Sequence, residues 1–92
     1  MTVLIDQPRW LAHDTLWAHL VSDTSLEELH AFAERMELPR RSFDLDHYDV
    51  PAHRHHELVA AGAEPVTIRQ FVERLRASGL RVSQRERRAA SN

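Results

Sequence analysis

The segment from Ser42 to Pro51 constrains the fold more than any other part of this sequence. It reads Ser-Phe-Asp-Leu-Asp-His-Tyr-Asp-Val-Pro, so alternating apolar residues lead directly into carboxylates and a histidine. Side chains alternate between the two faces of a strand, and the pattern therefore predicts a short strand that ends near His47 and Asp49. Proline suits the first turn of a helix, so Pro51 predicts that a helix follows. Such strand-to-helix turns are where open α/β sheets bind ligands.

Strand and helix patterns alternate along the rest of the chain. Apolar runs predict one strand that ends at Asp6 and a second strand over 16–21, for which a helical turn is the competing interpretation. Pro65 reduces the short run around it to an edge strand or an extended link. Strands that alternate with helices predict a parallel sheet with crossover connections.

Three helices are predicted between these strands. The first begins near Thr24 or Ser25, both of which have a glutamate at the capping-box spacing. The second runs from Pro51 to Ala61, and the third begins at the capping box of Thr67 and Gln70 and ends at Gly79. The predicted fold is a small single-domain α/β protein over residues 1–80. It has a mostly parallel sheet of three to four strands, three helices and the order ββαβαβα.

Composition narrows the functional class. The 92 residues contain no cysteine, which excludes disulfides and thiolate zinc sites, and no apolar run approaches the length of a membrane span. These features favour a cytoplasmic protein without a membrane partner. Residues 81–92 carry a net charge of +3 and are predicted to form a basic, flexible C-terminal tail, whereas the rest of the chain carries −5. An acidic body does not suit nucleic acid, so only the tail is a candidate for such contacts.

The predicted topology gathers polar groups at one edge of the sheet. Because parallel strands all end at the same edge, Asp6, Asp23, His47 and Asp49 form one candidate site beside the helix N-termini. Asp6, His47 and Asp49 are the candidate metal ligands, and the carboxylate oxygens of the two aspartates suit Mg²⁺ or Mn²⁺ better than Zn²⁺. Helix N-termini also suit phosphate oxygens. No nucleophile elbow, phosphate-binding loop or other catalytic motif is present, so catalytic residues remain unassigned.

Each candidate also has a purely structural interpretation. Asp6 can close a turn after its strand, and Asp23 can stabilise a helix N-terminus. His47 and Asp49 can form an orienting histidine–carboxylate pair. A separate hypothesis has His53 and His56, three residues apart, bind zinc at an oligomer contact.

Five segments together resemble one known family. They are Val3-Leu4-Ile5-Asp6, Leu16-Trp17-Ala18-His19-Leu20-Val21-Ser22-Asp23, Leu29-His30-Ala31-Phe32-Ala33, Asp46-His47-Tyr48-Asp49-Val50-Pro51 and Ala61-Gly62-Ala63. The chain resembles the DUF4031 family, small bacterial and phage proteins of unknown function, over roughly residues 1 to 80. The resemblance implies a small single-domain protein and supplies no activity and no catalytic residue.

Two functional hypotheses follow from the sequence. In the first, the Asp/His site binds a divalent metal or a phosphate-bearing ligand, and metal-assisted phosphoester hydrolysis is the expected reaction if the protein is an enzyme. In the second, the protein is a non-catalytic interaction module, which could form a homodimer, and the same residues close turns and cap helices.

Overall fold

The sheet is the middle of three layers. On one face, Val3, Ile5, Leu20 and other strand residues pack against helices α1 (Leu26–Arg35) and α2 (His55–Ala60). On the other face, Leu4 and Val21 pack against helix α3 (Ile68–Ser78). Neighbouring strand residues thus enter different cores, as the alternation of side chains along a strand requires. This computed structural model describes residues 2–80.

The described residues form six strands in one sheet. Their bounds are β1 (Val3–Ile5), β2 (Trp10–Ala12), β3 (Thr15–Ser22), β4 (Phe43–Asp44), β5 (His47–Pro51) and β6 (Glu64–Pro65). Short 3₁₀ turns at Arg40–Ser42 and Ala52–Arg54 lead into β4 and α2. The strand order across the sheet is β4-β5-β3-β1-β6, and β2 pairs with the first half of β3.

The predicted α/β class and the three helices are confirmed, but the prediction of a mostly parallel sheet with the order ββαβαβα is wrong. Only the β1–β6 pair is parallel among the described strands, and every other pair is antiparallel. Two tight turns explain the difference, because a two-residue link can join only antiparallel neighbours.

Neither of these turns contains glycine. His13 and Asp14, with φ of 50° and 62°, join β2 to β3, and Leu45, with φ of 56°, begins the turn between β4 and β5. Left-handed angles in hairpin turns are usually signalled by glycine, although histidine and aspartate also adopt them. The sequence therefore predicted a connector where β2 lies, and one strand where β4 and β5 form a hairpin.

The helix ends follow local chemistry. The predicted capping box of Thr67 and Gln70 and the left-handed Gly79 are both confirmed for α3. In α1, the Ser25 hydroxyl accepts a hydrogen bond from the Glu28 N–H at 3.1 Å. The prediction that the second helix starts at Pro51 is wrong, since Pro51 is the last residue of β5 and α2 starts at His55.

No helix in residues 2–80 is both long enough and apolar enough to cross a bilayer. The predicted C-terminal tail, residues 81–92, lies outside the described residues.

The cap of α1 gives a test of the fold. Replacing Ser25→Ala removes the acceptor for the first-turn N–H and should lower the free energy of unfolding by about 1 kcal/mol. Thr24→Ala is the matched control, because Thr24 is exposed and its hydroxyl donates to the side chain of Asp23 and to no N–H of the first turn, so its loss should cost less than about 0.5 kcal/mol. Urea denaturation of both variants measures the difference, and equal costs would contradict the assignment of Ser25 as the cap.

Candidate functional site

Three polar side chains lie in a row across strands β1, β3 and β5. His19 on β3 pairs directly with Asp49 on β5. On the other side of β3, the ladder ends with Ile5 opposite Leu20, and the next position brings Asp6 beside His19. The Asp6 N–H continues this ladder by donating to the His19 carbonyl at 3.2 Å. The row lies on the α3 side of the sheet, because the Phe71 ring is 6.1 Å from that of His19.

The Asp6 carboxylate fixes the orientation of His19. One oxygen accepts from the His19 backbone N–H at 2.6 Å, and the other lies 2.9 Å from Nδ1 of the imidazole. An ionised carboxylate can only accept, so Nδ1 carries the proton and Nε2 keeps its lone pair. The Trp10 indole stacks on the imidazole at 5.9 Å and 14° between the planes, which restricts the ring further.

His47 is held in the same way by a second carboxylate. Its Nδ1 lies 2.7 Å from Asp46, whose side chain is only 3% exposed. Its Nε2 lies 3.1 Å from Oδ1 of Asp49. The rings of His47 and His19 meet edge to face at 4.9 Å. Each imidazole thus has a carboxylate at Nδ1 and directs Nε2 elsewhere, which is how histidines that bind metals are commonly oriented.

Together, His19, His47 and Asp49 can serve as a set of metal ligands. Each offers one donor atom, and the three atoms lie within 4.8 Å of one another. Oδ1 of Asp49 is buried and receives no well-directed hydrogen bond from the described residues, despite its 3.1 Å separation from Nε2 of His47. Two donors bound to one ion at about 2.1 Å each lie roughly 3.0–3.4 Å apart. The 3.1 Å contact between His47 and Asp49, which is not aligned as a hydrogen bond, therefore has the spacing of two ligands of one metal ion.

Burial and the neighbouring carboxylates shift the pKa of His47 in opposite directions. Burial disfavours the charged imidazolium, but the hydrogen bond to Asp46 and the negative charges of Asp46 and Asp49 outweigh it and raise the pKa of His47 to about 9. At neutral pH both ring nitrogens of His47 therefore carry protons that face carboxylates. A metal ion at Nε2 has to replace one of these protons.

A cavity of about 270 Å³ opens beside the cluster. One wall is polar and is formed by Asp6, His19, Asp46 and His47. The opposite wall is apolar and comes from α3, namely Ile68, Phe71, Val72 and Leu75. Two larger depressions, of about 380 and 420 Å³, lie elsewhere on the surface and have no histidine in their lining.

The structure brings together three of the four residues predicted from the sequence. Asp6, His47 and Asp49 all lie at the cluster, but antiparallel neighbours bring them there, not the shared edge of a parallel sheet. Asp23 lies elsewhere: its carboxylate accepts from the Thr2 N–H at 2.9 Å and pairs with Arg74 at 2.6 Å. It is four positions beyond His19 along the chain, about 13 Å at the rise of a strand.

Sequence reasoning did not select His19 and Asp46. His19 was ambiguous because its partner strand depended on the unpredicted antiparallel register. Aspartates in loops are usually exposed to solvent, whereas Asp46 is buried in the tight turn before β5. Its place directly before His47 was the available signal.

The other histidines form no comparable group. His55 donates through Nε2–H to the Asp6 carbonyl oxygen at 3.1 Å, so it supports the end of β1. Among residues 2–80, the group of His19, His47 and Asp49 is the one set of three side chains with metal-binding spacing. The hypothesis of zinc at His53 and His56 therefore stays a sequence prediction.

The fold and the cluster define a small α/β domain with a mixed sheet and a histidine–carboxylate site. A family model described as a protein of unknown function, DUF4031, matches residues 3–78. The chain therefore belongs to the DUF4031 family, as its sequence segments indicated. The comparison with curated proteins and the comparison with solved structures give no match.

The protonation of His47 gives a direct test of this geometry. In the metal-free protein its imidazole should titrate at about pH 9, and Asp46→Asn should lower that midpoint by about one pH unit or more. Because the folded pKa lies above the unfolded value of about 6.5, the stabilisation is complete below that pH and is lost as the pH rises through 9.

NMR titration of the imidazole ¹⁵N shifts measures these midpoints. Asp14→Asn is the control, since this carboxylate lies exposed in the β2–β3 turn and should leave the midpoint unchanged. A His47 midpoint near 6.5 in the wild type would contradict the paired arrangement.

Proposed function

We propose that the protein binds one divalent metal ion through His19, His47 and Asp49. The observation that carries the proposal is the double histidine–carboxylate arrangement. Asp6 and Asp46 occupy the Nδ1 atoms at 2.9 and 2.7 Å, so both imidazoles can use Nε2 for an ion. Asp49 supplies a buried oxygen that lacks a well-directed donor within the described residues.

The donor set favours a transition metal. Two imidazole nitrogens and one carboxylate oxygen suit Mn²⁺, Fe²⁺ or Zn²⁺, whereas Mg²⁺ prefers oxygen ligands. We therefore place these ions ahead of Mg²⁺, whereas the sequence favoured Mg²⁺ or Mn²⁺ over Zn²⁺ when Asp6 was expected to be a ligand. In this proposal Asp6 orients His19 from behind and does not touch the ion.

The charge of the cluster supports the same conclusion. Asp6, Asp46 and Asp49 bring three carboxylates next to two imidazoles, and the polar groups are largely withdrawn from water. Like charges this close raise the free energy of the folded protein unless a cation offsets them. A proton on His47 offsets one of the charges, and a divalent ion offsets two.

Three protein ligands leave further coordination positions of the ion accessible from the cavity. A divalent ion with such open positions can lower the pKa of bound water and so supply a nucleophile at neutral pH. Metal-assisted hydrolysis is therefore the reaction class that we propose if the protein is an enzyme. For a phosphoester substrate the ion alone would supply the positive charge, because no arginine within residues 2–80 lines the cavity.

Metal titration followed by calorimetry tests the proposal. Wild-type protein should bind one equivalent of Mn²⁺ or Zn²⁺, and His19→Ala or His47→Ala should weaken binding by about 100-fold or more. Asp6→Asn keeps the shape of the side chain and should weaken binding by about 10- to 100-fold through the orientation of His19.

Asp23→Asn is the matched control, because this carboxylate pairs with Arg74 away from the cluster. Its metal affinity should equal that of the wild type. Absence of saturable binding in the wild type, or equal losses in Asp23→Asn and His19→Ala, would refute the proposal. Circular dichroism of each variant separates loss of the ligand from loss of the fold.

An interaction module is the second candidate, and one observation favours it. Leu11 and Leu16 pair across the β2–β3 hairpin and are 69% and 44% exposed. Adjacent exposed leucines are a feature of association surfaces. If this surface joins two copies, light scattering should give twice the chain mass for the wild type and a single chain mass for Leu11→Ser/Leu16→Ser. A monomeric wild type at high concentration would exclude self-association.

A further inference from the structure

We infer that the cavity beside His19 and His47 binds a small monoanionic molecule whose oxygen pair meets the metal and whose apolar body lies against α3. The inference rests on the proposed metal site and adds the class of ligand that the site takes. The juxtaposition that carries it is a cavity with a histidine–carboxylate wall on one side and an aliphatic and aromatic wall on the other.

The apolar wall is continuous. Ile68, Phe71, Val72 and Leu75 follow the three- and four-residue spacing of a single helix face. Phe71 and Leu75 are buried against the small core, whereas Ile68 is 40% exposed at the rim. This apolar stripe therefore extends from the core into the cavity. A ligand in the cavity would cover the part of the stripe that is exposed to water.

The volume of the cavity limits the size of the ligand. A protein cavity of about 150 Å³ accommodates benzene. The present cavity of about 270 Å³ therefore holds one ring or a branched chain of similar size, together with a short polar head. A larger ligand would extend out of the cavity into solvent.

The net charge of the site limits which polar group of a ligand can bind there. Three carboxylates surround the cluster, and no arginine in the described part of the chain lines the cavity. With a divalent ion bound and both imidazoles neutral, the net charge of the site is close to −1. A dianionic phosphate monoester would meet this residual negative charge with no side-chain cation to compensate it, whereas a carboxylate or hydroxamate with one negative charge meets less repulsion.

Two hydroxamates that differ only in their apolar group test the inference. Benzohydroxamate and acetohydroxamate chelate an ion through the same two oxygens, so the difference in their affinity for Zn²⁺-loaded protein reports contact of the ring with α3. Burying a phenyl ring is worth about 1.5–3 kcal/mol, which predicts that benzohydroxamate binds about 10-fold more tightly or better. Inorganic phosphate should bind more weakly than either.

Substitutions on α3 test whether the preference for benzohydroxamate comes from contact with this helix. Ile68→Gln at the exposed rim should reduce the preference for benzohydroxamate severalfold and leave Zn²⁺ affinity unchanged. Val72→Thr, a nearly isosteric change, provides a second variant that should fold if Ile68→Gln does not. Arg69→Gln is the control, since this side chain is exposed and pairs with Glu73, and it should leave the preference intact. Nuclear Overhauser contacts from the ring to the Ile68 and Val72 methyl groups are expected.

The outcomes separate this inference from the metal proposal. If Zn²⁺ binds but both hydroxamates have equal affinity, or if the preference survives changes on α3, the ligand class is overturned and the metal site stands. Tighter binding of phosphate than of benzohydroxamate also overturns it. If Zn²⁺ does not bind to the wild type, both proposals fall together.

Discussion

The contact between Asp6 and His19 is the interaction on which the rest of the structure depends. Asp6 is only 4% exposed, and burial of a carboxylate is costly unless its oxygens are satisfied. One oxygen accepts from the His19 backbone and the other meets the imidazole, so a side chain extends the β1–β3 ladder where the regular strand ends. The same contact sets the tautomer of His19 and therefore the direction in which its free nitrogen points.

The antiparallel register then builds the cluster around this pair. Pairing of His19 with Asp49 brings β5 alongside, and His47 lies two residues earlier on the same face of that strand. The tight turn after β4 places Asp46 behind His47. Each histidine therefore has its own supporting carboxylate, Asp6 at the end of β1 for His19 and Asp46 in the turn before β5 for His47. The donor atoms of the candidate metal ligands all come from strands β3 and β5.

The helix ends could be predicted from local signals. The Thr67 cap and the left-handed Gly79 follow from residues whose chemistry acts over a few positions. Asp6, His47 and Asp49 do come together, but through antiparallel pairing and not through the parallel sheet from which their meeting was predicted. The sheet direction could not be predicted, because it depends on hairpin turns in which His13, Asp14 and Leu45 adopt left-handed angles without glycine. His19 was missed for the same reason, since its role appears only when the partner strands are known.

Anomalous diffraction from crystals grown with Mn²⁺ tests the central claim most directly. One strong peak is expected about 2.0–2.3 Å from a ring nitrogen of His19, a ring nitrogen of His47 and an oxygen of Asp49. A peak at His53 and His56 with none at the cluster, or no peak at the cluster at saturating Mn²⁺, would contradict it. In that case the paired carboxylates would serve only to hold the three strands together.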